Sequence, residues 1–519
     1  MRAWLLAAAM LTPAVAGAQD ADRLTVGVRA PIVSLDPALS GLGPMHGYYA
    51  NIYDSLVGLD DQSRIIPGVA LSWRLVDDLT WEFKLRPGVK CHDGSTLDAA
   101  SVKSSLDRLP TVPNSDNLTA GKLRLVKELQ VIDPLTIRMV TSRAYPALLS
   151  ALPDFHLVCA SVPATATTAE FDSGKDAIGS GPYRSVRWQR GTGWELERFD
   201  GYWGPKPAFA HVTIREIPND AARMASLQAG DIQLADYIPP LDVKRLSGTT
   251  GLGVFQTASN RSVFLGFDML RDQTPFATDK AGAVLPHNPF KDERVRRSFA
   301  LAISQDVVIK RVMEGLAEPT TQGVPSHIAG YNASVPPTPY QPEAAKKLLA
   351  EAGYPDGFKV TLHCPNDRYV NDAATCQTAG VLLARIGVTV AIDVQPSSVY
   401  FPRLQRPEYS FYLLAWGSNG GDATSFLRDV METRDLARGV GSWNMGLSMP
   451  DVDQAIDAAT LTMDETVRNR EMAAVMGLLI QRQAYIPLDT LLVIAAARKP
   501  VTYQPQATEE MILSAVGRQ

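Results

Sequence analysis

The chain has 519 residues, with 50 Lys plus Arg against 55 Asp plus Glu and a formal net charge of −5. That balance excludes a general electrostatic attraction to nucleic acid or anionic lipid. With 45% hydrophobic and 20% charged residues the composition is globular, with apolar material for two or three domains, and four cysteines are too few for a disulfide-scaffold protein.

Taken in chain order, the first element is an export leader. Arg2 precedes an apolar run from Ala3 to Val15, and Ala16-Gly17-Ala18 places small residues before a cleavage point at Gln19. The run is too short for a comfortable membrane span. No cysteine follows the cleavage point, so no lipid anchor is expected. The mature chain, residues 19–519, has a net charge of −6 because Arg2 leaves.

Leu24–Val28 reads as a strand, followed by a loop rich in Gly, Pro and Ser over Pro31–Gly47. Thr80–Arg86 alternates, with Trp81, Phe83 and Leu85 on one face and Glu82, Lys84 and Arg86 on the other. Val89–His92 should run back from a Pro87-Gly88 turn, and Ser95–Leu109 reads as a helix. Leu135, Ile137 and Met139 repeat the strand alternation, so 53–175 has the texture of a small β-rich domain. A helix is expected over Asn219–Ala229, stopped by Gly230. Further helices follow around Val295–Ile303, up to Met313, and over Glu343–Ala352, between Pro342 and Gly353. Strand Lys359–His363, helix Ala373–Ile386 and strand Val388–Val394 compose a βαβ unit.

Catalytic motifs are missing. There is no phosphate-binding P-loop and no Gly-x-Ser-x-Gly elbow, and the seven histidines are scattered singly without metal-ligand spacing. No cofactor or metal site is expected. An exported hydrolase with a triad assembled from distant segments remains the alternative class. Export permits disulfides. Cys364 and Cys376, at a strand end and in the following helix, are expected to pair; Cys91 and Cys159 fit a bridge and two buried thiols equally well.

Two segments carry recognition chemistry. Arg368 lies on the loop after strand Lys359–His363, at the carboxyl end where open α/β sheets bind ligands. A guanidinium there can grip a carboxylate, and the competing reading is an ion pair with Asp367 or Asp372. The second segment leads from Phe411 into Trp416, Gly417, Ser418, Asn419, Gly420, Gly421 and Asp422. Its glycines permit close backbone approach and Trp416 offers a flat apolar wall.

Eight phrases in order, among them Ser34-Leu35-Asp36-Pro37, Tyr53-Asp54-Ser55-Leu56-Val57, Gly179-Ser180-Gly181-Pro182-Tyr183, Tyr202-Trp203-Gly204 and Ala345 to Tyr354, resemble the extracytoplasmic solute-binding proteins of peptide/nickel-type ABC transporters. The resemblance runs to about Lys499 and implies an α/β, two-lobed periplasmic-binding-protein fold with an additional β-rich domain inserted in the first lobe. Carried onto this chain, domain I would be 19–52, 179–262 and 489–519, domain II 53–178, and domain III 263–488.

The implied work is closure of two lobes on a small carboxylate-bearing solute or short peptide. Delivery to permease subunits and their ATPase in the inner membrane follows. The protein is expected to be periplasmic and monomeric; a chemosensory solute receptor differs only in the membrane partner. Arg368, three residues after Pro365, inherits the family's grip on a peptide carboxylate. The position of the acid that holds a peptide's amino group is occupied by Asn419, with Asp422 as a possible substitute. Tyr48, Tyr49 and Tyr400 are further lining candidates, with a packing role as the competing reading of each. Nickel belongs to the family's ligands, but tightly spaced protein ligands for it are missing.

Overall fold

The computed structural model describes residues 22–115 and 118–519. The leader and its cleavage point after Ala18 lie outside the described residues. Among the described residues no helix is long and apolar enough to cross a membrane.

One 12-stranded sheet runs through most of the molecule. At one end, Arg23–Val28 pairs in parallel with His211–Glu216 and with the short strand Leu234–Ala235. At the other, Lys359–Pro365 pairs in parallel with Thr389–Gln395 and with Phe411–Gly417. The helix Asp372–Ala384 connects the first two of these, so the βαβ unit read from the sequence is present. Two long strands join the halves: Leu252–Phe267 and Tyr485–Arg498 run antiparallel, with irregular register between Ala258 and Ser262 and again between Val263 and Phe264. Such bulges bend and twist a paired ribbon locally.

Three large apolar cores follow this division. One is built around Leu24, Val26, Tyr183, Trp194 and Ile214, and a second around Phe267, Phe299, Leu362, Leu383 and Phe411. The third, with Phe83, Leu97, Ile137 and Met139, sits under a separate four-stranded antiparallel sheet, Ala70–Asp77, Thr80–Leu85, Thr136–Thr141 and Val126–Asp133. Sequence position and space therefore interleave, as two chain crossings require.

Local chemistry explains the element ends. The helix expected from Ser95 begins instead at Ala99, because the Asp98 carboxylate accepts the Ala100 and Ser101 N–H groups as a cap. Asn219 caps Asp220–Ala229 through the Ala222 N–H at 2.9 Å, and Gly230 closes that helix at φ 91°. Glu82, expected on the solvent face, is buried by Arg74 and Arg138, each 2.8 Å from one of its oxygens. Val89–His92 forms no strand; only Lys90 bridges to Thr96. Disulfides join Cys364 to Cys376 and Cys91 to Cys159. Titration of the denatured, unreduced protein is expected to find no free thiol; two would mean that one of the two bridges is absent, and four that both are.

Asp489 lies on the second long strand opposite Val263, at the register irregularity. It is 1% exposed, and its Oδ1 has no hydrogen-bond partner among the described residues. Burial alone pushes its carboxyl up to about 7, and burial with the charges of Asp154 and Glu509 pushes Glu510 up to about 8. These groups keep a proton in the fold that the unfolded chain releases near pH 4, so they cost stability as pH rises through the folded values. Half-buried His92 and buried His156 and His363, lowered to about 4, 3 and 4, act oppositely, but only below roughly pH 6.5. Between about pH 6.5 and 8 the raised carboxyls, with Glu432 at about 7, decide the sign. The melting temperature is expected to fall across that window, and Asp489→Asn to flatten the fall and raise stability at pH 8. A wild-type profile that is flat or rising there contradicts this account.

Candidate functional site

Asp372, the first residue of its helix, holds the loop after Lys359–Pro365 by accepting two backbone N–H groups, from Arg368 at 3.2 Å and Tyr369 at 3.1 Å. Asp367 accepts the Ser397 N–H at 2.7 Å. Neither acid ion-pairs with the Arg368 guanidinium, so both competing partners are engaged elsewhere. That guanidinium lies 5.3 Å from the centre of the Tyr369 ring, a cation–π distance, while the Tyr369 hydroxyl donates to the Ala415 carbonyl at 3.3 Å.

Arg368 borders a solvent-open cleft of about 560 Å³ whose polar wall also holds Arg29, Tyr237, Arg261 and Glu509. Apolar side chains of Ile238, Leu316, Leu491 and Ile494 form the rest of its lining. Leu491 to Ile494 belong to the second long strand and Arg261 to the first, so the cleft's floor is the pair of strands joining the halves. Arg261 and Glu509 form a two-pronged ion pair, Nε to Oε1 at 2.8 Å and a terminal nitrogen to Oε2 at 3.1 Å. Burial alone would lower the nearly buried guanidinium's pKa, but the Glu509 carboxylate outweighs it and holds the value above the ordinary one. Tyr237 and Glu509 both take positive φ, 45° and 69°, a conformation that costs a non-glycine residue on the order of 1 kcal/mol or more.

Of the residues singled out from the sequence, Arg368 is on the cleft wall. Trp416 donates its indole N–H to Ser425 at 3.1 Å. Gly417 pairs with Arg261, and a Cβ on it would lie 3.2 Å from that guanidinium. Ser418 is fully buried, its N–H bound to the Asn260 carbonyl at 3.0 Å. The Asn419 amide reaches the Thr508 carbonyl at 3.5 Å. Asp422 accepts the Thr424 N–H at 2.9 Å and the Ser150 hydroxyl at 3.3 Å, so its carboxylate is already engaged. The glycines of this loop do meet a close neighbour: a Cβ at Gly421 would lie 2.3 Å from the Ser63 carbonyl oxygen, and one at Gly420 2.9 Å from Ser150. The loop thus packs on the segment carrying the four-stranded sheet.

Tyr48 does not reach the cleft. It is buried in the core around Leu24 and donates its hydroxyl to the Ala30 carbonyl at 2.8 Å. Tyr400 is buried likewise, bound to the Leu413 carbonyl at 2.6 Å, and the Tyr49 ring packs against His156. Sequence reasoning passed over Arg29, Tyr237, Arg261 and Glu509. For Arg29 a usable signal existed, since it follows directly on the strand ending at Val28. Among the described residues no group of three or more His, Cys, Asp or Glu could hold a metal ion.

Two halves joined by paired crossing strands, with a cleft on that hinge, define a two-lobed solute-binding protein. The profile of bacterial extracellular solute-binding proteins, family 5 Middle, matches residues 64–435, and the chain belongs to that family. It is similar to the glutathione-binding protein GsiB of Pectobacterium atrosepticum, 28% identical over 477 residues that cover 89% of this chain and 88% of the relative. The fold is shared with Helicobacter pylori DppA in complex with peptide STSA, TM-score 0.76, 24% identity, covering 96% of this chain and 98% of that one. It is also shared with HbpA2 of Haemophilus parasuis, TM-score 0.81, 19% identity, covering 96% and 100%. The protein is the solute-binding component of an ABC importer, and its work is binding rather than catalysis.

Glu509→Gln leaves the Arg261 guanidinium without its counter-charge in a nearly buried place. It is expected to cost roughly 3 kcal/mol in denaturant unfolding, whereas a change under about 0.5 kcal/mol would make the pair dispensable to the hinge.

Proposed function

We propose that this receptor captures a short peptide-like solute bearing a carboxylate, with Arg368 gripping that carboxylate at the cleft. The observation that carries the reading is a half-buried guanidinium on a βα loop whose neighbouring acids bind backbone N–H groups instead of it. Two charge-assisted hydrogen bonds to a carboxylate contribute on the order of 1.5–3 kcal/mol each. Relatives named for glutathione and a neighbour bound to the peptide STSA support a peptide-like solute. With Asn419 on a main-chain carbonyl and Asp422 on Thr424 and Ser150, the glycine-rich loop offers no spare acid for an ammonium group. A solute whose amino end is acylated or lies outside the cleft suits this chemistry best.

On this reading the lobes are 19–52 with 179–262 and 489–519 on one side and 263–488 on the other, with 53–178 inserted in the first. The chain is exported by cleavage after Ala18, stays free of a lipid anchor, acts as a monomer in the periplasm, and delivers to inner-membrane permease subunits and their ATPase. Closure is a population shift, so the solute must make stronger contacts in the closed state.

The test is a thermal-shift screen of mature protein that has been unfolded, stripped and refolded, against di- and tripeptides, N-acylated peptides, amino acids and nickel chelates. A ligand at a hundred times its Kd adds about 2.7 kcal/mol of stability, enough to read. Shifts are expected from carboxylate-bearing peptide-like compounds, and Arg368→Ala is expected to weaken the best of them at least ten-fold in calorimetry. Unchanged affinity removes Arg368 from the site, and a panel without any shift overturns the peptide-like reading.

A further inference from the structure

Arg368 has a counterpart across the cleft. Arg29 follows the parallel strand Arg23–Val28 in one half as Arg368 follows Lys359–Pro365 in the other. The backbone N–H of Arg29 is held by Asp236 Oδ1 at 2.9 Å, just as that of Arg368 is held by Asp372 at 3.2 Å. Each guanidinium then lies against a tyrosine ring, Arg29 5.9 Å from the centre of Tyr237 and Arg368 5.3 Å from that of Tyr369. In both devices an aspartate fixes the main chain and leaves the guanidinium free of an ion pair among the described residues. Asp236 also faces Arg223, whose Nε is 3.6 Å from its Oδ1, so it is shared before Arg29 can claim it.

The charge inventory of the cleft wall gives this arrangement its consequence. Arg29, Arg261 and Arg368 face one carboxylate, Glu509, and Glu509 is taken by Arg261 in a two-pronged pair. Two guanidiniums from opposite halves are left for the solute. A solute with one acidic group would leave the other guanidinium enclosed without an ion-pair partner of its own, Arg29 having only an Asp236 already shared with Arg223, and an unpaired buried charge is costly. Two acidic groups satisfy both, and a bridge between the halves forms only when they close, which is the differential contact that closure needs.

We infer that Arg29 is a second carboxylate-binding residue and that the solute is a diacid, one carboxylate held from each lobe. This rests on the peptide-like reading above and narrows its substrate class.

The experiment uses isosteric pairs in which one carboxylate becomes an amide: N-acetyl-alanyl-glutamate with N-acetyl-alanyl-glutamine, N-acetyl-alanyl-aspartate with N-acetyl-alanyl-asparagine, and a γ-glutamyl tripeptide with its glycinamide. Calorimetry on the mature wild type is expected to give the diacid of each binding pair at least ten-fold higher affinity. Arg29→Gln should collapse that ratio below three-fold by weakening the diacid, with Arg29→Lys retaining part of it. Arg368→Gln should weaken both members. Equal affinities within pairs in the wild type, or a ratio that survives Arg29→Gln, overturn the diacid inference and leave the peptide-like reading standing. Failure of every pair member to bind overturns that reading and this inference together. Melting curves of the unliganded variants separate a folding defect from a lost contact, since a variant that melts as wild type and loses discrimination has lost a ligand contact.

Discussion

The antiparallel pairing of Leu252–Phe267 with Tyr485–Arg498 is the constraint on which the other features hang. These strands carry the sheet from one core to the other, and their middle is where the register becomes irregular. Backbone hydrogen bonds across such a ribbon must stay made while the halves move, because unpaired buried N–H and C=O groups are costly. Bending at a bulge satisfies that demand, since the ladder is already interrupted there. The same ribbon supplies Arg261 and the apolar floor of the cleft. Asp489, a carboxyl without a counter-ion among the described residues, is buried at this point, which makes stability sensitive to pH near neutrality, where a salt-bridged acid stays ionised.

Both halves then present the cleft with the carboxyl ends of parallel strands. Val28, Ala235 and Pro365 each end a strand, and Arg29, Tyr237 and Arg368 lie on the loops that follow. Loops in that position are held by a rigid sheet and are free to vary, so a polar head can be aimed without disturbing the core. Aspartates anchoring the main chain of the two arginine loops complete the aiming. The disulfide between Cys364 and Cys376 closes the short loop that contains Arg368. For the carboxylate grip proposed for Arg368, a loop fixed before the solute arrives lowers the ordering cost of binding.

How much of this was legible in the sequence follows from the range of each signal. The βαβ unit around Arg368 was readable because alternation, helical spacing and turn residues act within a few positions, and Arg368 was found by its place after a strand. Arg29 obeys the same rule and was passed over because the Gly- and Pro-rich stretch beginning at Pro31 drew the loop two residues late. Tyr237 follows a strand of two residues, too short to show any period. Arg261 and Glu509 are separated by 248 positions and meet only through the crossing of the chain, so no local pattern announces them. Burial of Glu82 escaped for a related reason: its alternation predicts a solvent face, while two arginines on neighbouring strands cover it.

The glycine-rich loop after Trp416 shows how one signal serves two physical purposes. Glycines there announce that something approaches the backbone closely, and the approaching atoms are the Ser63 carbonyl and Ser150. A side chain at Gly421 would strike the Ser63 carbonyl, and φ of 84° already disfavours any other residue. Through Asp422 and Ser150 the loop reaches from one half to the segment inserted in the other. In the function proposed above, selection of the solute by charge and contact between the two halves fall on different residues. On the proposed reading the guanidiniums select the solute, while the glycines let the loop pack closely on Ser63 and Ser150.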